Sequence, residues 1–143
     1  HVESYTKRSK GMTLSKKGDL LFPSSTTVDA VSLIAPSNIN VDNVILGGDM
    51  FGIHISSNYD AQYLSYYFNH IAKKQLAKYA KGSTIIHLHY KDIEKANLLL
   101  PCLIEQNKIA HNLILLDEKI HNENAYLQLI VKQKQYMLRH MFI

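Results

Sequence analysis

Between Glu105 and Phe142 the chain runs for 38 residues without a glycine or a proline. Within that stretch, positions 109, 113, 116, 120, 123, 127, 130, 134, 137 and 141 follow a strict 4-3 spacing. They are occupied by Ile109, Leu113, Leu116, Ile120, Glu123, Leu127, Ile130, Lys134, Met137 and Met141. Eight of the ten are apolar over more than four heptads, which predicts a coiled-coil helix of about 57 Å. A helix this amphipathic gains most of its stability from what it packs on. Its length favours projection toward a partner helix over folding back on its own domain. Ile109, Leu113, Leu116, Ile120, Leu127, Ile130, Met137 and Met141 are the expected interface. Glu123 and Lys134 interrupt the seam; charges there are costly unless paired, so they are expected to set register or partner choice.

The chain ahead of this helix reads as a different class. Lys17-Gly18-Asp19 is a turn signal before the run Leu20-Leu21-Phe22, which Pro23 closes. Val31–Ala35, ended by Pro36, reads as another short strand. Val44–Leu46 and Met50–Ile55 read as two strands around Gly47-Gly48. Short strands separated by turns predict a compact, curved sheet. From Asp60 to Ala80 the period becomes helical, with Leu64, Tyr67, Phe68, Ile71, Leu76 and Tyr79 on one face, Ser57 or Asn58 as cap and Gly82 as terminator. Thr84–Tyr90 alternates, Ile85, His87 and His89 opposing Ile86 and Leu88. Asp92–Ala96 forms a helical turn before the extended run Leu98–Pro101. The fold class is therefore α+β: a short curved β-sheet with an amphipathic helix, followed by a long coiled-coil helix.

Composition excludes several functions. A single cysteine, Cys102, cannot close an internal disulfide, which argues for a reducing compartment, the cytoplasm, and against a secreted disulfide scaffold. The longest apolar run, Leu98–Ile104, is far too short to span a membrane. The polar start His1–Ser4 is not a signal peptide and has no initiator methionine, so a fragment is expected. No phosphate loop or dinucleotide fingerprint is present, and the carboxylates are scattered singly. His87 and His89 supply two imidazoles where zinc needs three or four ligands. No metal, no cofactor and no catalysis are expected.

The net charge of +4 is local. Residues 1–58 are balanced, whereas residues 70–81 carry Lys73, Lys74, Lys78 and Lys81 with no acid. By their spacing, Lys74, Lys78 and Lys81 share one helix face near its C-terminus, which runs into the turn Gly82-Ser83-Thr84, where ammonium groups, hydroxyls and amides can meet phosphates. Four phosphate contacts on B-DNA would give a log–log salt slope of about −3.6. Lysine near a helix C-terminus is equally at home as a solvated face, and composition leaves both open. Ser24-Ser25-Thr26-Thr27 and Lys7-Arg8-Ser9-Lys10 are further candidate contact loops.

Leu100-Pro101, then Glu105-Gln106-x-x-Ile109-Ala110-x-x-Leu113-x-x-Leu116-Asp117-x-x-Ile120, closely resembles a junction in specificity subunits of bacterial type I restriction–modification enzymes. There a target-recognition domain meets a conserved spacer helix. Lys17-Gly18-Asp19-Leu20-Leu21, Tyr63-Leu64-x-Tyr66-Tyr67, Lys81-Gly82-Ser83-Thr84 and Asp92-Ile93 agree in order, so the resemblance runs from Lys16 to the C-terminus. Cys102-Leu103 stands where the family tends to place a second proline. The resemblance implies a recognition domain, curtailed at its front, over residues 1–101 and a spacer or dimerisation helix over 102–143. It implies a non-catalytic reader of one half of a split double-stranded DNA target. Its helix would dock methyltransferase and restriction subunits and pair, antiparallel, with a second copy or another specificity half. Lys73, Lys74, Lys78, Lys81, Ser83, Thr84, Ser24 and Ser25 are then the candidate DNA contacts. The competing expectation is a protein–protein adaptor whose coiled-coil helix is the functional surface.

Overall fold

The structure, a computed structural model, describes residues 14–142. Lys7-Arg8-Ser9-Lys10 lies outside the described residues. In chain order the elements are β1 (Leu20–Pro23), β2 (Ser25–Thr26), α1 (Ala30–Leu33), β3 (Ser37–Asn38), β4 (Met50–Ile53), α2 (Ala61–His70), α3 (Lys73–Ala77), β5 (Ile86–His87), α4 (Tyr90–Ile93) and α5 (Leu103–Met141). The chain divides into two compact units, His1–Asn107 and Lys108–Ile143. The first is a small α+β body that includes the first turn of α5; the second is formed by the rest of α5.

In the first unit β1 is central, with β3 on one side and β4 on the other, both antiparallel. The Lys17-Gly18-Asp19 turn launches it. Gly18 has φ +87°, and the Asp19 carboxylate accepts the Lys16 amide at 2.7 Å and His54 Nδ1 at 2.8 Å. Leu20 and Phe22 have no accessible surface, and the Phe22 ring stacks on Phe51 at 5.3 Å and tilts against Phe68 at 6.0 Å. Leu33, Ile34, Leu64, Leu76 and Leu88 complete the core.

Four local expectations are corrected. Val31–Ala35 begins inside a helical turn, because the Asp29 side chain accepts the amides of both Val31 and Ser32 at 2.8 Å and caps α1. Val44–Leu46 does not pair with β4, whose partner is β1; Ile45 makes only an isolated bridge with Leu14. The helix expected over 60–80 breaks into α2 and α3 at Ile71-Ala72. There both amides donate to Tyr67 O, a widened turn that shifts the phase by one residue. Ala72 is buried in place of Ile71, which is 75 % exposed, and the inward row becomes Leu64, Phe68, Ala72, Leu76. The N-cap of α2 is Asp60, which accepts the Tyr63 amide at 2.6 Å, and not Ser57 or Asn58. The alternation over 84–90 survives as side-chain direction, with Leu88 inaccessible and His87 and His89 exposed, but only Ile86–His87 is strand.

The start of α5 is held by Gln106, 1 % exposed. Its Nε2 donates to Pro101 O at 2.8 Å, and its Oε1 accepts the Asp60 amide at 3.0 Å. One glutamine thus satisfies backbone groups at the head of α2 and ahead of α5. From Leu103 to Met141 the helix is unbroken for 39 residues, about 58 Å.

Candidate nucleic-acid interface

The ladder β2–β5 joins two segments that the sequence places far apart. Ser25 pairs with His87 and Thr26 with Ile86, and the Leu88 amide donates to Ser24 O at 2.9 Å. On its other edge His87 exchanges backbone hydrogen bonds with Lys81, at 2.9 and 2.7 Å. Directly opposed residues of an antiparallel ladder share a face. Ser25, His87 and Lys81 therefore form one row, and His89 lies beside His87 with its ring parallel at 6.2 Å. The exposed Ser83 and Thr84 sit in the loop that the Lys81–His87 bridge closes. That loop requires Gly82: its φ is +126°, and a Cβ there would lie 2.0 Å from Ile85 O. The structure thus brings together Ser24, Ser25, Lys81, Ser83 and Thr84.

The lysines divide into two classes. Lys81 lies on the β-bridge and not on the helix face with Lys74 and Lys78, as the spacing suggested. Its Nζ meets Asp92 Oδ1 at 2.5 Å. That hydrogen bond holds the Asp92 carboxyl below the ordinary carboxylate value. A depressed carboxyl contributes stability above its unfolded value and loses it as pH falls through the folded one, so acid weakens the Lys81–Asp92 tether. Lys73, at the start of α3, adds to the lowering of the Asp29 carboxyl, which is due first to the Ser32 amide. Lys74 on α3 and Lys78, its C-cap one turn further on, are exposed, with no carboxylate partner among the described residues. Helix α1 packs against both α3 and β2, and so links these lysines to the ribbon.

Asp29, Asp92 and the ribbon position of His87 were not identified from sequence; only Asp29, four residues ahead of Leu33, carried a legible capping signal. Among the described residues no group of three or more His, Cys, Asp or Glu converges as a metal site, and no helix is long and apolar enough to cross a membrane.

On α5 the seam residues other than Leu113 are 41–67 % exposed, while Leu113 is half-buried. A second apolar row, Leu115, Leu129 and Tyr136, is also exposed. Its heptad spacing puts it about 130° round the helix from the seam.

A family model described as Type I restriction modification DNA specificity domain matches residues 1–137. The match begins ahead of Lys16, where the resemblance in the sequence begins. No curated protein matches the chain.

Proposed function

The chain belongs to the type I restriction modification DNA specificity family, and on that premise we propose that it reads one half of a split double-stranded DNA target and docks methyltransferase subunits along α5. The observation that carries the DNA contact is the ribbon. It gathers hydroxyls, two imidazoles and an ammonium on one exposed face, near Lys74 of α3 and its C-cap Lys78. Phosphate contacts from such groups position a protein on the duplex, while base contacts specify sequence. The role assigned is recognition, with the chemistry left to the partner subunits, in the cytoplasm, where Cys102 stays a thiol.

Lys74 and Lys78, without carboxylate neighbours among the described residues, are the stronger candidates for counterion release. Lys74→Ala/Lys78→Ala is expected to flatten the log–log salt dependence of duplex binding by about 1.8, at about 0.9 per phosphate. Fluorescence anisotropy between 50 and 200 mM salt measures it. An unchanged slope moves the contact elsewhere on the chain.

Helix α5 supports the docking role because it has more apolar surface than one partner helix can cover. A two-stranded coiled coil buries the seam and leaves Leu115, Leu129 and Tyr136 facing outward. Leu129→Asp/Tyr136→Asp is expected to abolish co-purification with a methyltransferase subunit while self-association persists. Retained co-purification would assign docking to another surface. The adaptor reading draws on the same rows; a chain that captures methyltransferase but binds no duplex DNA would favour it.

A further inference from the structure

We propose that Asp92 determines the specificity of the ribbon by withholding the Lys81 ammonium from DNA phosphates, so that the ribbon meets DNA through its hydroxyls and imidazoles. The inference rests on the DNA contact proposed above and adds to it a residue that faces away from that contact.

Three observations carry it. First, the two partners are unequal. The Lys81 side chain is 76 % exposed and that of Asp92 only 15 %, with Nζ and Oδ1 2.5 Å apart. The carboxylate is built into the fold in the first turn of α4, and the ammonium comes to it from the ribbon edge. Second, Asp92 stands among basic groups. The Lys81 hydrogen bond is the main cause that holds its carboxyl below the ordinary value, and the nearby charges of Lys81, His89 and Lys95 add to the lowering. It therefore carries its full negative charge at neutral pH. Third, the neutralisation is selective. Of Lys74, Lys78 and Lys81, only Lys81 has a carboxylate partner among the described residues, and it is the one that stands in the row with Ser25 and His87.

The inequality decides what an approaching duplex can do. An ion pair with both members in water is worth about 0–1 kcal/mol, and a phosphate displaces it with little loss. Here the displaced carboxylate would stay shielded from water, unpaired, and set against the phosphate that replaced it. Both effects oppose the exchange. Lys81 therefore stays with Asp92 in the complex, and no counterion is released at that position. Phosphate contacts supply nearly all of the affinity that ignores sequence. Cancelling one of them on the reading face lowers binding to every duplex and leaves base contacts as they are, which widens the ratio of specific to non-specific binding.

Fluorescence anisotropy of the full chain on a short random-sequence duplex, between 50 and 200 mM salt, tests this. Asp92→Asn is expected to steepen the log–log salt slope by about 0.9 and to tighten binding about eightfold at 0.1 M salt, the gain that one added phosphate contact gives. Adding Lys81→Gln to Asp92→Asn should abolish that gain, because the freed ammonium is its source. A slope that Asp92→Asn leaves as it was, or weaker binding, overturns the proposal while the DNA contact stands. A gain that persists without Lys81 also overturns it. Amide exchange at Lys81 and His87 follows the ribbon in each variant; lost protection in Asp92→Asn would make the carboxylate a brace of the ribbon and overturn the proposal as well. A wild-type chain and variants that bind no duplex at high micromolar concentration overturn both the proposal and the DNA contact beneath it.

Discussion

Replacing Gln106 with leucine is expected to lower the unfolding free energy of the first unit by about 2–4 kcal/mol, because two backbone groups lose their partner while little volume changes. Gln106 is 1 % exposed and joins Pro101 O, at 2.8 Å, to the Asp60 amide, at 3.0 Å. Asp60 is itself the N-cap of α2, accepting from the Tyr63 amide at 2.6 Å, so the loss strikes a residue already committed to starting a helix. Leucine satisfies neither group, and its gain in apolar burial recovers only part of the cost. Gln106→Glu keeps an acceptor for Asp60 but sets a carboxylate oxygen against Pro101 O, and a smaller loss is expected. Urea unfolding of both variants measures the difference; a shift below about 0.5 kcal/mol for leucine would place the site among ordinary surface positions.

Gly82→Ala is expected to be comparably damaging, and more local. Its φ of +126° disfavours any side chain, and the added Cβ would stand 2.0 Å from Ile85 O, a backbone atom that cannot swing aside. Strain of this kind costs about 1–3 kcal/mol. The loop would open to relieve it, and the Lys81–His87 hydrogen bonds would go with it. The core residues Leu20, Phe22 and Leu76 belong to other elements and are expected to stay packed. Hydrogen exchange should show at least about tenfold faster exchange at the Lys81 and His87 amides, the equivalent of 1.4 kcal/mol, with β1 unchanged. Unaltered protection at those two amides would mean that the turn tolerates a side chain. Because the ribbon carries Ser25, His87 and Lys81, the same variant should weaken duplex binding without touching α3.

These two residues mark where the sequence was legible. The sequence marks Gly82 as a helix terminator and Gln106 as part of the Glu105-Gln106 element of the family resemblance. Neither physical role was visible, since each depends on a group far along the chain or on a backbone angle. The division of Asp60–Ala80 was hidden for a related reason. An apolar residue stands at both Ile71 and Ala72, so the period alone cannot say which faces inward. The core took the small one, where α2 turns into α3.

That α5 is one long helix is legible in the sequence because its determinants are local: each residue turns about 100° and rises 1.5 Å, so a 4-3 spacing specifies a face before any partner is known. The turn at Gly18 and the strand Leu20–Phe22 were legible on the same grounds. What tertiary structure alone decided was partnership. Ser25 lies opposite His87, β4 pairs with β1 and not with Val44–Leu46, and Lys81 is tied to Asp92 while Lys74 and Lys78 stay open to solvent. Strand pairing and ion pairing join groups through space, and many alignments of short strands satisfy the same local preferences. Only the packing of one shared core around Phe22 selects among them.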